Sequence, residues 1–454
     1  MSDSTDIFTK IRQHLAFKAS SSYIVAAFLL VQAINLVSDP LGLHSNIIKY
    51  TIWIAIAGLP ITLIIALAIA SHFNTKKILA GSISVMLFVY LSYSFYVISF
   101  IFLPDIKKFI QEDEYILAWN QIKKAERVFP LFSVFNNYAA QVTQEVNFNL
   151  EQSDVKVSWK PYGTANSVWK DLGSNVKSAL LPLGPIEVML EKDGYETAIF
   201  TTVNPSVMFN NADDWEKLDD IELQVKGNVP TGMVFVPGGY FYPAILGEGV
   251  NEYTLSPFFI DKYEVTNAQF KEFVDSGGYS NPRYWEGMVF IKEGITLSFD
   301  DALSFMKDST GRSAPANWEL ADFLAGTGDK PVTGISWYEA QAYAKYMGNI
   351  LPPYYHWAKA AFPPDEITSS LAPTILDNSN FESGIISTGG EFYSLGPYGT
   401  YDMAGNVKEW VWNIFGGDGL TMGGATSEPK YTAFQANPMP RFSRSSNTGF
   451  RTAK

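Results

Sequence analysis

The sequence predicts a multi-domain membrane protein with a three-helix transmembrane anchor, a small all-β module and a C-terminal α+β domain. Three observations predict this class. Long runs without charge recur near the N-terminus, apolar residues alternate after Val155, and short strands and helix caps fill the second half. A chain of 454 residues has room for several domains.

Three charge-free runs are each long enough to cross the hydrocarbon of a bilayer, which takes about 20 residues. A signal peptide is the alternative for the first run, but no small-residue cleavage site follows Val37. Basic residues precede the first run and lie in the loop between the second and third runs, which predicts a cytoplasmic N-terminus. A multi-pass protein of the inner membrane, with its C-terminal domains periplasmic or extracellular, is therefore expected. The predicted spans are Ser21–Val37, Thr51–Ala70 and Ile78–Leu103.

Composition excludes several classes of function. The net charge of −13 and the absence of a clustered basic surface exclude nucleic acid as a partner. The chain contains no cysteine, which excludes disulfides, thiolate metal sites and thiol catalysis. The four histidines are dispersed, so a histidine-based iron or zinc centre is not expected.

The predicted domain boundaries follow changes in apolar period and charge. An amphipathic helix is expected over Asp105–Val128, where apolar residues recur at helical spacing. The segments are 1–104 for the cytoplasmic arm and anchor, 105–150 for a juxtamembrane helical segment, 151–210 for the β-module, 211–230 for an acidic linker and 231–454 for the C-terminal domain.

Alternating residues predict strands at Val155–Trp159, Ile186–Leu190 and Thr197–Val203, with turn residues between them. This module resembles the PEGA-type β-repeat of bacterial surface and membrane proteins, and the resemblance implies an extracytoplasmic spacer. The residues that carry it are Lys160–Tyr162, Trp169–Gly173, Leu181–Gly184 and Glu191–Glu196.

Local signals in the C-terminal domain predict strands at Met233–Gly239 and Phe258–Val265. A capping box at Thr266 predicts a helix that ends near Gly277. A second capping box at Ser336 predicts a helix that ends at Gly348, with one apolar face formed by Trp337, Ala340, Ala344 and Met347.

Together these segments resemble the formylglycine-generating enzyme (sulfatase-modifying factor) family between Met233 and Arg451. The resemblance implies a compact, turn-rich α+β fold related to C-type lectins. The residues that carry it are Met233–Gly239, Ile260–Asn267, Pro331–Trp337, Ala340–Tyr343, Leu351–Pro352, Trp357, Tyr401–Trp410, Gly423–Gly424 and Gly449–Arg451.

Enzymes of this family oxidise a cysteine of a sulfatase with their own cysteine pair. The corresponding positions fall near Glu428 and Ala433, which can neither bind copper nor carry redox chemistry. The iron-dependent branch of the superfamily needs a histidine cluster, which this chain lacks. No catalytic residue is therefore assigned, and neither copper nor iron is expected.

The resemblance also implies a structural calcium site. Asp402, Gly405, Val407 and Glu409 take the positions of the family's ligands and offer oxygen atoms that suit Ca²⁺. Alternatively, Asp402 and Glu409 only cap backbone amides in a tight turn. A second site near Asn380 and Phe381 is in doubt because the segment before Tyr401 is short.

The leading hypothesis is a non-catalytic, membrane-anchored recognition or scaffold protein of a bacterial envelope complex, with a lectin-like head. Its expected partners are the lipid bilayer, envelope proteins, a peptide or glycan ligand, and other copies of the chain. One alternative is an enzyme of the superfamily with cysteine-independent chemistry, and another makes the membrane bundle the functional part. His356 is expected to be packed or surface exposed and to have no functional role. Most of the aromatic residues that could line a recognition surface are expected in the core or at its rim, and they are Tyr354, Tyr355, Phe392, Tyr393, Tyr398, Tyr431 and Phe434.

Overall fold

A computed structural model describes residues 90–148, 150, 152–163, 167–204, 222–241, 253–362 and 371–454, together with isolated positions between 21 and 62. The chain forms two compact units, which divide between Val142 and Thr143. Each unit is described separately.

The described part of the first unit is helical. Residues 90–97 form a helix that continues through a π-helical turn at Ile98–Phe102. The expected single helix over Asp105–Val128 is broken, because Asp113 adopts a left-handed conformation with φ of 57°. The helices that follow the turn are α1 (Leu103–Gln111), α2 (Tyr115–Val128) and α3 (Val134–Val142).

The predicted transmembrane anchor is corrected by the structure. Among the described residues, no helix is long and apolar enough to span a bilayer. The helix that enters α1 meets Asp105, Lys107 and Lys108, so its described charge-free part falls short of the ~20 residues required. The predicted fold class of a multi-pass membrane protein and its inner-membrane location are therefore wrong for the described chain, whereas the lipid bilayer as a partner stays a prediction. Nearly all of the first two predicted spans, and the start of the third, lie outside the described residues.

The second unit begins with a β-module, by which we mean residues 143–204. Its main sheet is antiparallel, with strand order β3-β2-β5-β6, and β1 pairs with β4 beside it. The predicted resemblance to PEGA repeats stays a prediction. The strands are β1 (Thr143–Asn147), β2 (Lys156–Pro161), β3 (Lys170–Ser174), β4 (Ser178–Pro182), β5 (Gly184–Glu191) and β6 (Ala198–Asn204).

The C-terminal part of this unit combines short strands with short helices. Its largest sheet has the order β15-β14-β13-β16, and β7 pairs with β10. The elements are β7 (Met233–Val236), β8 (Gly239–Phe241), β9 (Tyr253–Leu255), β10 (Phe258–Asp261), α4 (Asn267–Asp275), β11 (Ile291–Lys292), β12 (Ile295–Thr296), α5 (Phe299–Ser304), α6 (Trp337–Tyr346), α7 (Tyr354–Ala361), α8 (Leu371–Asp377), β13 (Lys408–Phe415), β14 (Asp418–Met422), β15 (Asn437–Met439) and β16 (Thr448–Gly449).

Both predicted capping boxes are confirmed. Thr266 accepts from the backbone of Gln269 at the start of α4, and Ser336 accepts from Glu339 at the start of α6. The predicted single apolar face of α6 is wrong, because every residue from Trp337 to Ala344 is buried while Met347 is 52% exposed. Helix α6 thus lies inside the domain and packs on several sides.

Candidate functional site

The segment Tyr401–Trp410 consists of a loop followed by the first residues of strand β13, and the loop has an unusual backbone conformation. Asp402, Gly405 and Asn406 have φ values of 57°, 80° and 54°, in the left-handed region. A Cβ atom at Gly405 would lie 2.6 Å from the carbonyl oxygen of Asn380. Glycine is therefore required there, and the turn directs the loop's polar side chains inward.

A buried ion pair joins this loop to the end of the chain. Arg451 Nε lies 2.8 Å from Glu409 Oε2, and Arg451 Nη2 lies 2.7 Å from Glu409 Oε1. The two side chains are 0% and 1% exposed. Trp357 Nε1 also donates to Glu409 Oε2 at 2.8 Å. Both oxygens of Glu409 therefore have donors, which is what a carboxylate without water requires.

Arg451 uses its remaining donors on backbone carbonyls. Its Nη1 atom donates to the carbonyl of Asp261 at 3.0 Å, and Nη2 donates to that of Tyr401 at 2.9 Å. One guanidinium thus connects strand β10, the loop before β13 and Glu409 at the start of β13.

Three further carboxyl groups surround the pair. We call Asp261, Glu264, Asp402, Glu409 and Arg451 the carboxylate cluster. Burial raises the pKa of Asp261 to about 6, although hydrogen bonds from Thr452 and the charge of Arg451 oppose the rise. Burial likewise raises the pKa of Asp402 to about 6, against hydrogen bonds from Gly390 and Ser394. Burial and the charge of Asp402 raise the pKa of Glu264 well above its usual range.

Sequence reasoning missed four members of this network, Asp261, Glu264, Asn406 and Arg451. Asn406 Nδ2 donates to Glu264 Oε1 at 2.9 Å, and Asn406 Oδ1 accepts from the Ser387 amide at 2.9 Å. One signal for Asn406 was available, since asparagine after a glycine is typical of a left-handed turn position. Nothing local indicated that Glu264, which follows a strand, points into the core.

The four predicted calcium positions lie on this one loop, and their donor chemistry is mixed. Asp402 accepts a hydrogen bond from the Gly390 amide at 2.6 Å and another from the Ser394 hydroxyl at 2.9 Å. It therefore caps one backbone amide, which is the role that the alternative interpretation gives it. Glu409 is paired with Arg451, whereas Glu264 Oε2 is buried without a hydrogen-bond partner. No group of three acidic, histidine or cysteine side chains in the described residues is arranged to hold a metal ion. Two properties suit calcium: the loop offers oxygen donors, and the carboxylate cluster contains more carboxyl groups than guanidinium groups.

The family's cysteine pair is expected to fall near one charged and one apolar side chain, those of Glu428 and Ala433. Glu428 pairs with Lys408 through Oε1 and accepts from the Ala425 amide through Oε2 at 3.1 Å. Ala433 is 0% exposed and belongs to a hydrophobic core cluster. An ion pair and a packed methyl group thus fill this region, beside the start of β13.

The aromatic residues predicted to line one surface do not gather on one. Tyr354 is buried, Tyr393 is half-buried in contact with Lys160 of the β-module, and Tyr431 is 62% exposed. His356 packs against the ring of Phe258 with centroids 4.5 Å apart, and burial lowers its pKa.

An exposed apolar patch appears instead at the far end of β13, formed by Trp412, Ile414 and Phe415. These side chains are 54%, 47% and 68% exposed. The register of β13 and β14 shifts between Trp410 and Ile414, so simple alternation along the strand did not predict which side chains face outward.

Comparison with known proteins places the C-terminal part of the chain. Residues 220–454 match the sulfatase-modifying factor enzyme 1-like domain. The chain is 30% identical over 227 residues to an inactive C-alpha-formylglycine-generating enzyme 2 of Bos taurus, covering 42% of this chain and 73% of that protein. It is 29% identical over 232 residues to the formylglycine-generating enzyme of Thermomonospora curvata, covering 42% and 74% respectively.

The chain is also 29% identical over 241 residues to the serine/threonine-protein kinase pkn1 of Chlamydia caviae, covering 51% of this chain and 35% of the kinase. It therefore spans about a third of the length of this relative and of its Chlamydia pneumoniae counterpart.

Replacing Arg451 is expected to leave a buried carboxylate without its partner. Arg451→Met should lower the free energy of unfolding by about 3–5 kcal/mol, as is typical for breaking a buried pair. Denaturant titration measures the loss. The exposed pair Lys271–Asp275 provides the control, where Lys271→Met should cost less than about 1 kcal/mol. Equal losses in the two variants would show that burial does not matter here.

The raised pKa of Asp261 predicts a pH dependence of stability. The folded state holds this proton more tightly than the unfolded state, whose pKa is near 3.8. Its contribution to stability is therefore full below pH 4 and is lost as pH rises through 6. Relative to Asp261→Asn, the wild type should lose roughly 2–3 kcal/mol between pH 4 and pH 7. Denaturant titrations in chelator measure this, and parallel curves for the two proteins would contradict it.

Proposed function

The chain belongs to the family of the sulfatase-modifying factor enzyme 1-like domain, and from that premise we propose that its C-terminal domain is a non-catalytic recognition or scaffold domain. One observation carries the proposal. The family's cysteine pair is expected to fall near Glu428, which is ion-paired, and Ala433, which is packed in the core. Neither residue offers a thiolate, and the chain has no cysteine elsewhere to replace them.

Two further observations support this proposal. The relative from Bos taurus is named an inactive enzyme. A non-catalytic role for this chain would therefore have a counterpart among its relatives. The exposed patch of Trp412, Ile414 and Phe415 offers a surface of the kind that binds partners, since large apolar side chains grouped on a surface are typical of interaction sites. A peptide, protein or glycan is the proposed ligand.

A second candidate is an enzyme of the same superfamily with cysteine-independent chemistry. The Lys408–Glu428 pair favours it, because a half-buried ammonium and carboxylate in contact are groups capable of proton transfer. Against it, neither group lies beside an activated nucleophile among the contacts of the described residues.

Binding to arrayed probes tests the proposal with the full chain. The arrays carry glycans and peptides, including cysteine peptides of the sulfatase type and their serine counterparts. We expect binding that Trp412→Ala weakens by roughly tenfold or more, as loss of an aromatic anchor does. Leu324→Ala is the matched control, since Leu324 is 77% exposed and lies outside the patch.

An aldehyde-reactive probe applied to the same arrays reports chemistry. Aldehyde formation on the cysteine peptides, lost in Glu428→Gln, would overturn the non-catalytic proposal and favour the second candidate. Absence of binding to any probe, at protein concentrations where the domain is folded, would overturn recognition.

Calcium is part of the proposal. Asp402, Gly405, Val407 and Glu409 would hold the ion, and the ion would supply positive charge to a cluster that contains four carboxyl groups and one guanidinium. Calcium at about 100 times its Kd should raise the free energy of unfolding by about 2.7 kcal/mol. Thermal unfolding of the full chain with calcium, magnesium or chelator measures this.

Asp402→Asn should abolish the calcium-dependent shift, while Glu293→Gln, whose side chain is 82% exposed, should retain it. If calcium does not change the unfolding midpoint, the calcium proposal is wrong. Protons would then be what offsets the negative charge of the carboxylate cluster.

A further inference from the structure

Two lysine–glutamate pairs lie across the same two strands of the β-module. Lys156 faces Glu191, and Lys160 faces Glu187 in the register of β2 and β5. The first pair is open to solvent, with side chains 45% and 41% exposed and 3.4 Å between Nζ and Oε2. The second pair is 3.2 Å apart with side chains 6% and 0% exposed. The loop of residues 393–398, from the C-terminal part of the chain, covers the second pair.

Tyr393 completes the buried pair as a triad. Lys160 Nζ donates to the Tyr393 hydroxyl at 2.7 Å, and that hydroxyl donates to Glu187 Oε2 at 2.7 Å. Lys160 Nζ also lies 4.9 Å from the ring centroids of both Trp169 and Tyr393. The ammonium is thereby held by a carboxylate, a hydroxyl and two aromatic faces, which together replace its water.

Strand β6 and Tyr162, the residue that follows β2, contact this loop beyond the triad. The Tyr162 hydroxyl donates to the Leu395 carbonyl at 3.0 Å, and the ring of Phe200 meets that of Tyr398 edge-on at 6.3 Å. The Thr201 amide donates to the Pro397 carbonyl at 3.0 Å. Strand β6 is the edge of its sheet, so this bond covers an edge that would otherwise be open to pairing.

We propose that the β-module is a permanently docked part of the C-terminal domain, and that Lys160, Glu187 and Tyr393 form a polar lock that sets its docking position. Apolar contacts alone would hold the two together in several similar positions. The buried ammonium, hydroxyl and carboxylate make their mutual hydrogen bonds in one position only, and specifying one position is the best attested use of buried ion pairs. The surface around Tyr393 is thus occupied by the chain itself. This inference does not depend on whether the domain catalyses a reaction.

Hydrogen exchange of the full chain, resolved to single residues by mass spectrometry, tests the lock. The Thr201 amide reports docking because its acceptor is Pro397, whereas amides bonded between β2 and β5 report folding of the module itself. Glu187→Leu leaves Lys160 buried and unpaired, so the Thr201 amide should exchange roughly a hundredfold faster. Glu191→Leu, on the same strand, removes the exposed pair and should not change the exchange rate of the Thr201 amide.

Two more variants cover the case in which Glu187→Leu fails to fold. Tyr393→Phe removes one hydroxyl and keeps the ring, and it should still speed exchange at Thr201 while amides between β2 and β5 stay protected. The combination of Lys160→Met, Glu187→Leu and Tyr393→Phe leaves no unpaired charge and should restore a folded module. Exchange at Thr201 that is unchanged in both Glu187→Leu and Tyr393→Phe, or equally accelerated by Glu191→Leu, would overturn the proposal.

Discussion

The ion pair between Glu409 and Arg451 is the interaction on which the C-terminal domain depends. It anchors the end of the chain, where residues 450–454 exchange backbone hydrogen bonds with residues of the range Phe259–Val265 and with Ile350. Through its other donors Arg451 also holds the carbonyls of Asp261 and Tyr401. A charge this deeply buried is tolerated only when every donor finds an acceptor, so the surrounding backbone is constrained to supply them.

The same constraint explains the polar interior around the pair. Asp261, Glu264 and Asp402 bring more negative charge than one guanidinium can offset, and their pKa values rise accordingly. Asn406 and the hydroxyls of Ser394 and Thr452 donate to them, which keeps most of their oxygens satisfied. These contacts hold the loop in a fixed shape without any thiol.

Features encoded by a few neighbouring residues were predictable. The capping boxes at Thr266 and Ser336 depend on side chains three residues apart, and both form. Features set by distant contacts were not. The several-sided burial of α6, the outward turn of Trp412 after a shift in strand register, and the inward turn of Glu264 all follow from neighbours remote in sequence. The break at Asp113 shows that apolar periodicity alone does not fix helix boundaries.

The sequence by itself determined that this protein has no cysteine, and therefore no thiolate, because folding cannot supply a missing residue type. It also determined the family, through motifs spread over the C-terminal half. Only the tertiary structure decided which charges are buried. Two pairs have the same residue types and face each other across the same two strands, Lys156–Glu191 and Lys160–Glu187. The first is exposed to water, whereas the second is buried beneath Tyr393. The reason is that burial depends on what a distant loop covers, and no local pattern records it.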